Sequence, residues 1–210
     1  MPKSSQRWHR RKDDRPEEII AAALDLFTQK GFAATRLDDV AGRAGISKGT
    51  LYLYFESKEA LFKAVVMAMV VPEIERAEQR ILNFHGPAAD LVKQLIYQWW
   101  ESVNNSRLRG LPKLMIAESG NFPELARFYA EKVIIRVRKL LADVIAQGIK
   151  QGEFRDCNPV ITARLLMAPM VFISIWSQSM QPYEDPGFDI NDFINLHLDI
   201  FLRGLLVNPS

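Results

Sequence analysis

Residues 38–55 hold the side chains whose types and spacing could do chemistry. Val40, Ile46, Leu51 and Phe55 are spaced to share one core beneath two short helices, with Gly45 at the turn between them. Ala41 and Ala44 are small, so the second helix can cross close over the first. This is the geometry of a helix-turn-helix, whose second helix enters the major groove of DNA. With Leu51 and Phe55 turned inward, Lys48, Gly49, Thr50, Tyr52, Leu53 and Tyr54 remain outside. Lys48 and Thr50 can donate to base edges or phosphates, and Leu53 can meet a thymine methyl. Gly49 lets the backbone come close to a partner, and the two tyrosine hydroxyls have phosphate reach. Short side chains and a single lysine at the tip predict modest direct readout. Any one of these residues could equally be half-buried or merely solvated; the set on one scaffold argues for DNA.

Bond-making chemistry finds no comparable support. His9, His85 and His197 are isolated, and Cys157 has no Cys or His neighbour. The metalloprotease HExxH, the P-loop and the glycine-rich dinucleotide turn are missing. Glu118-Ser119-Gly120 lacks the preceding glycine of a nucleophile elbow. We therefore expect no metal, no cofactor and no enzymatic activity. One cysteine cannot form an internal disulfide, which fits a reducing compartment. The most apolar uncharged stretch, Ala64 to Val71, and the longer Ile161 to Trp176, which carries Arg164, Pro169 and Ser174, both fall short of the roughly 20 mostly apolar residues a membrane span needs. No signal peptide is visible, and the expected location is the cytoplasm.

The chain that must position these residues has 210 residues and a mass of 24.0 kDa. Its 48% hydrophobic and 25% charged content is that of an ordinary globular protein. The net charge of +2 is unevenly spread: residues 1–15 carry six basic and two acidic groups, residues 16–60 five and seven, and the rest sixteen of each. The surplus predicts a flexible basic arm over residues 1–15 that can contact phosphates when DNA is present.

Apolar spacing of the 3.6 type recurs throughout, and strand-type alternation is nowhere sustained. The first helix begins near Pro16, with Ile19, Ile20, Ala23, Leu26 and Phe27 on one stripe, and ends at Gly31. Thr35 to Asp38 has capping-box spacing and opens a short helix to about Ala44. Ser47 caps a third, Lys48 to Phe55, and Ser57 a fourth. Pro72 should end or kink that fourth helix. Further helices are expected from Ala88 to Asn104, after the loop bracketed by Asn104-Asn105-Ser106 and Gly110-Leu111-Pro112 to about Ser119, from Asn121 as cap to about Gly152, from Asn158 to Trp176, and from Asp189 to about Gly204. The fold class is all-α, about nine helices: a three-helix DNA-binding domain over residues 16–58, then a larger ligand-binding and dimerisation domain over 59–210.

Residues 19–61 resemble the TetR family of bacterial transcriptional regulators. The matching residues include Ile20, Ala22, Ala23, Leu26, Phe27, Gly31, Phe32, Thr35, Asp39, Val40, Ala41, Ala44 and Gly45, and the stretch AGISKGTLYLYFESKEALF is highly specific. The resemblance implies a homodimer whose C-terminal domain binds a small molecule, moves the fourth helix and pulls the recognition helices out of register with a palindromic operator. It implies that Lys48, Gly49, Thr50, Tyr52 and Leu53 face the groove and that Thr35, Tyr54 and Lys58 face phosphates, with Ser47 and Arg36 also counted as DNA-binding. The family often has Ser or Thr where this chain has Arg36; an arginine there cannot cap with a hydroxyl but can reach a phosphate.

In the C-terminal domain, the Val160 to Trp176 helix has 13 hydrophobic residues of 17 and is apolar all round, so one side needs a partner. The last helix, with Ile190, Phe193, Ile194, Leu196, Leu198, Phe201 and Leu205, has more than one stripe. Together these predict a four-helix interface across a twofold axis. A pocket is expected among Trp99, Trp100, Val103, Met115, Phe122, Phe128, Met167, Met170 and Trp176, with Phe84 and Phe172 nearby, for a small apolar or aromatic ligand. Pro169 should free the Leu165 carbonyl as a polar anchor, and Pro72 could act as a hinge. The expected function is a ligand-released repressor. The alternatives are a helical small-molecule-binding or scaffold protein with a vestigial helix-turn-helix, and an enzyme hosted in the pocket, for which no titratable pair is visible.

Overall fold

The computed structural model describes residues 15–104, 106–184 and 188–207, which form nine helices and no strand. The basic arm expected over residues 1–15 lies outside the described residues, apart from the backbone of Arg15. α1 is Arg15–Lys30, α2 Leu37–Arg43 and α3 Lys48–Tyr54. α4 is a rod of three consecutive segments: Lys58–Val65, a π-helical Val66–Val70, and Val71–Leu82. α5 is Ala88–Asn104 and α6 Leu111–Glu118. α7 is again three segments, Pro123–Tyr129, a π-helical Ala130–Ile134 and Ile135–Lys150; α8 is Pro159–Trp176 and α9 Ile190–Arg203.

Local chemistry explains most of these ends. Ser47, Ser57, Asn158 and Asp189 each accept a backbone N–H from the first turn of the next helix, satisfying donors that have no partner within the helix. Gly31 closes α1 at φ +87°, in the left-handed region that only glycine enters without strain. α5 is capped from a distance: the Glu153 carboxylate accepts from Ala88 N at 2.6 Å and Ala89 N at 2.9 Å.

Two expectations are corrected. The capping box at Thr35 does not form: Arg36 holds the N-cap position without a side-chain bond, and Thr35 is turned into the core. Asn121 does not cap α7, because Phe122 takes that position and the Asn121 amide donates to Glu118 instead. At Pro72, where an end or a kink is expected, α4 does not end. A proline removes one donor and crowds the carbonyl four residues back; here a π turn lies immediately before it, Val71 N–H reaching Val66 O five residues back, and the helix continues.

The side chains pack as two clusters. One joins α1, α2, α3 and the start of α4 to Leu111, Leu114 and Met115 of α6 and to Leu125 and Val133 of α7. Its centre is a ring cluster in which Phe27, Phe32 and Phe62 have centroids 5.2–5.8 Å apart, with Phe122 edge-on to Phe32 at 4.7 Å. The other lies between α5, the end of α7, α8 and α9. The division expected between residues 58 and 59 therefore falls within the first cluster. Close approach in the second is steep: a Cβ on Gly148 would stand 2.3 Å from the Phe154 ring.

Candidate nucleic-acid interface and ligand cavity

α3 rests on α2 through Leu51, fully buried, with Phe55 and Ile46 packed beside it. Its opposite face is open. Leu53 is 84% exposed and Tyr52 46%; Ser47, Lys48, Gly49 and Arg36 are exposed, Thr50 half-exposed. Nothing but the Ser47 hydroxyl lies within 4 Å of a Cβ placed on Gly49. Ser47 Oγ and Thr50 Oγ1 share a hydrogen bond of 2.8 Å. The Lys48 ammonium is held 2.8 Å from Asp38 Oδ1, and its hydrogen bond to Asp38 is the main reason its pKa lies above the ordinary lysine value. Tyr54 is half-buried and packs against the head cluster, so less of it is free than of Tyr52.

Two residues expected at phosphates are engaged elsewhere. Thr35 is 1% exposed, and its hydroxyl donates toward Gly31 O at 2.7 Å and Leu26 O at 3.2 Å. Lys58 Nζ donates to Phe32 O at 2.7 Å, Thr35 O at 3.0 Å and Ala33 O at 3.1 Å, which engages all three of its protons. Both serve the α1–α2 turn, joining it to α1 and α4.

Beneath the head lies a cavity of about 640 Å³ bounded by α4, α5, α6, α7 and α8. Of the expected lining residues, Trp99, Val103, Met115, Met167 and Phe172 line it. Trp100 and Met170 are instead buried in the second cluster, and Phe122 and Phe128 pack against the first. Trp176 stacks on Phe172 and donates its Nε1 to Glu184 at 2.8 Å, and Phe84 packs on the second cluster. Leu165 is 62% exposed and does not line the cavity, so its carbonyl is no anchor there. Residues not anticipated from the sequence are Glu73, Gln98, Ser102, Tyr129, Arg138 and Arg164. Gln98 and Ser102 are four apart on an otherwise apolar face of α5, a signal the sequence does carry.

The two regions are physically joined. Val70, Glu73 and Ile74 of α4 and Leu111, Pro112, Met115 and Ile116 of α6 line the cavity, and at the end of α6 Glu118 Oε1 accepts from Ala33 N of the head at 3.1 Å.

On the outside, Ile161 and Leu165 of α8 are 55% and 62% exposed; Ala168 and Phe172, which also line the cavity, continue their stripe at three- and four-residue spacing. Leu196 and Ile200 of α9 are 59% and 63% exposed. By length and composition α8 could cross a membrane; here it packs on α5, α6, α7 and α9. Among the described residues no group of three or more His, Cys, Asp or Glu could hold a metal ion.

Comparison with known proteins agrees with this architecture. Residues 19–65 match the model of bacterial regulatory proteins of the tetR family, and residues 92–203 match the C-terminal domain of AefR-like transcriptional repressors. The uncharacterised HTH-type transcriptional regulator YerO of Bacillus subtilis is 51% identical over 200 residues, covering 92% of this chain and 66% of YerO. The fatty acid metabolism regulator protein of the same organism is 24% identical over 196 residues, 92% of this chain and 98% of that protein. The solved structure of the fatty acid degradation regulator FadR from Bacillus halodurans superposes with a TM-score of 0.76 at 18% identity, covering 90% of this chain and 95% of that one. With a helix-turn-helix head, a helical body around a cavity, and family models that together match most of its length, the chain belongs to the TetR family of transcriptional regulators.

Proposed function

We propose that the protein is a homodimeric repressor that binds a palindromic operator through α3 and is released from it by a small apolar ligand in the cavity. The observation that carries the reading is the open face of α3, where Lys48, Gly49, Tyr52 and Leu53 are exposed beside the half-exposed Thr50 and the capping Ser47. In this reading Arg36 and Tyr54 flank α3 toward the phosphates, and residues 16–58 and 59–210 divide reading from sensing. The exposed apolar stripes of α8 and α9 support a twofold interface through these helices, since large exposed apolar faces mark association surfaces. A cavity walled mainly by apolar side chains supports the ligand class, and the names of two relatives as fatty acid regulators agree with it. α4 and α6 each touch both regions and are the levers in this reading, the Val66–Val70 turn and Pro72 forming the hinge of α4. Such a regulator works in the cytoplasm, where its DNA is, and performs no catalysis.

The test is selection of bound sequences from random DNA by the purified protein at two salt concentrations. A palindromic motif, lost as salt rises by roughly 0.9 log units of affinity per log unit of salt for each neutralised phosphate, is the expected result. Enrichment of a single, non-repeated half-site would overturn the dimeric reading; no enrichment at low salt would overturn DNA binding.

A further inference from the structure

The charges on the cavity wall do not balance. Arg138 of α7 and Arg164 of α8 line it, against one carboxylate among the described lining residues, Glu73 of α4. That carboxylate is already occupied: Arg76 Nη2 lies 2.7 Å from one oxygen, and Ser102 Oγ donates to the other at 3.2 Å. Neither lining arginine has an ion pair among the described residues. No acidic residue stands three or four positions from either on its own helix, so neither gains a partner along the helix surface.

The wall also has an open side and a closed side. The exposed lining residues, Ile116, Ile134, Arg164, Ala168 and Phe172, all belong to α6, α7 and α8, whereas those of α4 and α5 are buried or half-buried. Arg138 is half-buried one turn from Ile134, and Arg164 lies one turn from Ala168. Both arginines therefore belong to the side where the cavity meets water, and the apolar side chains of α4 and α5 form its floor.

We propose that the cavity takes an amphiphile, with an apolar tail lodged against α4 and α5 and one anionic head, a carboxylate or a phosphate, held at the opening by Arg138 and Arg164. This rests on the reading of the cavity as the effector site and adds the charge of its occupant. A guanidinium is permanently charged, weakly hydrated, and presents a fork of donors that matches the oxygens of either head. Beside an apolar wall the attraction is screened less than in open water. A cationic head finds no such partner, because Glu73 is taken and both arginines repel it. A neutral head gains no charge pairing from the arginines. A volume of about 640 Å³ suits a tail of drug-sized bulk.

The experiment is calorimetric titration of the full chain at neutral pH with four probes of one tail: decanoate, decyl phosphate, 1-decanol and decyltrimethylammonium. At least one of the two anions is expected to bind roughly tenfold tighter than the cation, and the tighter of the two names the head. In Arg138→Gln and in Arg164→Gln the affinity for that anion is expected to fall roughly tenfold, while that for 1-decanol stays within about twofold and shows that the variants are folded. A cation bound as tightly as both anions overturns the charge of the head and leaves the effector cavity standing. So does binding of 1-decanol with neither anion bound. An anion affinity that falls no further than that for 1-decanol in either variant overturns the part of that arginine in holding the head. Binding of none of the four overturns both this inference and the apolar effector site.

Discussion

The Nζ of Lys58 lies 2.7 Å from the carbonyl oxygen of Phe32 and 4.6 Å from the centre of the same residue's ring. One side chain thus ties the start of α4 to the turn after α1, through a charge-assisted bond and a cation–π contact. Lys58→Met, which keeps the stem and loses the ammonium, is expected to destabilise the protein by about 1–3 kcal/mol and to leave DNA sequence preference unchanged. Thermal unfolding and operator binding measured on the same sample check both halves; unchanged stability with weakened DNA binding would return Lys58 to the phosphates.

Lys48 faces the opposite situation, an exposed ammonium held by an exposed carboxylate, Asp38. On DNA that carboxylate competes with phosphate for the lysine. Asp38→Asn is expected to tighten operator binding and to steepen the salt dependence by about 0.9 log units per log unit of salt, the increment of one further phosphate contact. Fluorescence anisotropy across a salt series reads the slope directly, and Lys48→Ala in the same background should remove the gain.

The Glu118–Ala33 bond is a polar link from the cavity helix α6 to the head. If the proposed effector cavity is right, Glu118→Ala is expected to leave operator affinity within a few-fold of the parent and to cut at least threefold the effect of a saturating apolar probe such as 1-decanol on that affinity, a loss of roughly 0.7 kcal/mol from a coupling of typically 1–3 kcal/mol. An undiminished ligand effect would assign transmission to α4 alone.

A pH dependence arises from Arg136, whose Nε and Nη2 each lie 2.6 Å from Glu78. These bonds hold the Glu78 carboxyl below its ordinary value of 4.5 in the fold. The unfolded chain takes up this proton first as pH falls, so the stabilisation is present above the ordinary value and is lost as pH drops through the depressed one. Urea unfolding at about pH 7 and about pH 4 should therefore show a smaller loss for Glu78→Gln than for the parent.

The helices are legible in the sequence because their ends are written in side chains that act locally. Ser47, Ser57, Asn158 and Asp189 cap as their positions require, and Gly31 and Gly45 close turns at positive φ. The face of α3 is legible for the same reason, since Leu51 and Phe55 leave only one side free. Thr35 and Lys58 mislead because their types fit a phosphate as well as a carbonyl, and only the path of the chain between residues 31 and 35 decides which is nearer. The cavity is half legible. Trp99 and Trp100 are adjacent and alike, and which of the two faces the space depends on how α5 is rotated against α4, a tertiary fact. Of its polar members, Gln98 and Ser102 are legible as a pair four apart on α5, whereas Glu73, Tyr129, Arg138 and Arg164 come from three other helices and meet only in the fold.

The π turn at Val66–Val70 works as a frameshift in the pattern of α4. Leu61, Phe62, Val65 and Val66 face the head cluster. Continued at 3.6 residues per turn, that phase would carry Met69, Glu73, Arg76 and Arg80 inward. One extra residue in the turn rotates the remainder of the rod by roughly 100°, and the side chains that meet the body are Val70, Ile74, Ala77 and Ile81. The second half of the rod is thus spelled in a reading frame set by that turn. Straightening that turn to regular α geometry with no residue removed would direct Arg76 and Arg80 at an apolar wall, whereas deleting one residue from it would leave Val70, Ile74, Ala77 and Ile81 facing the body.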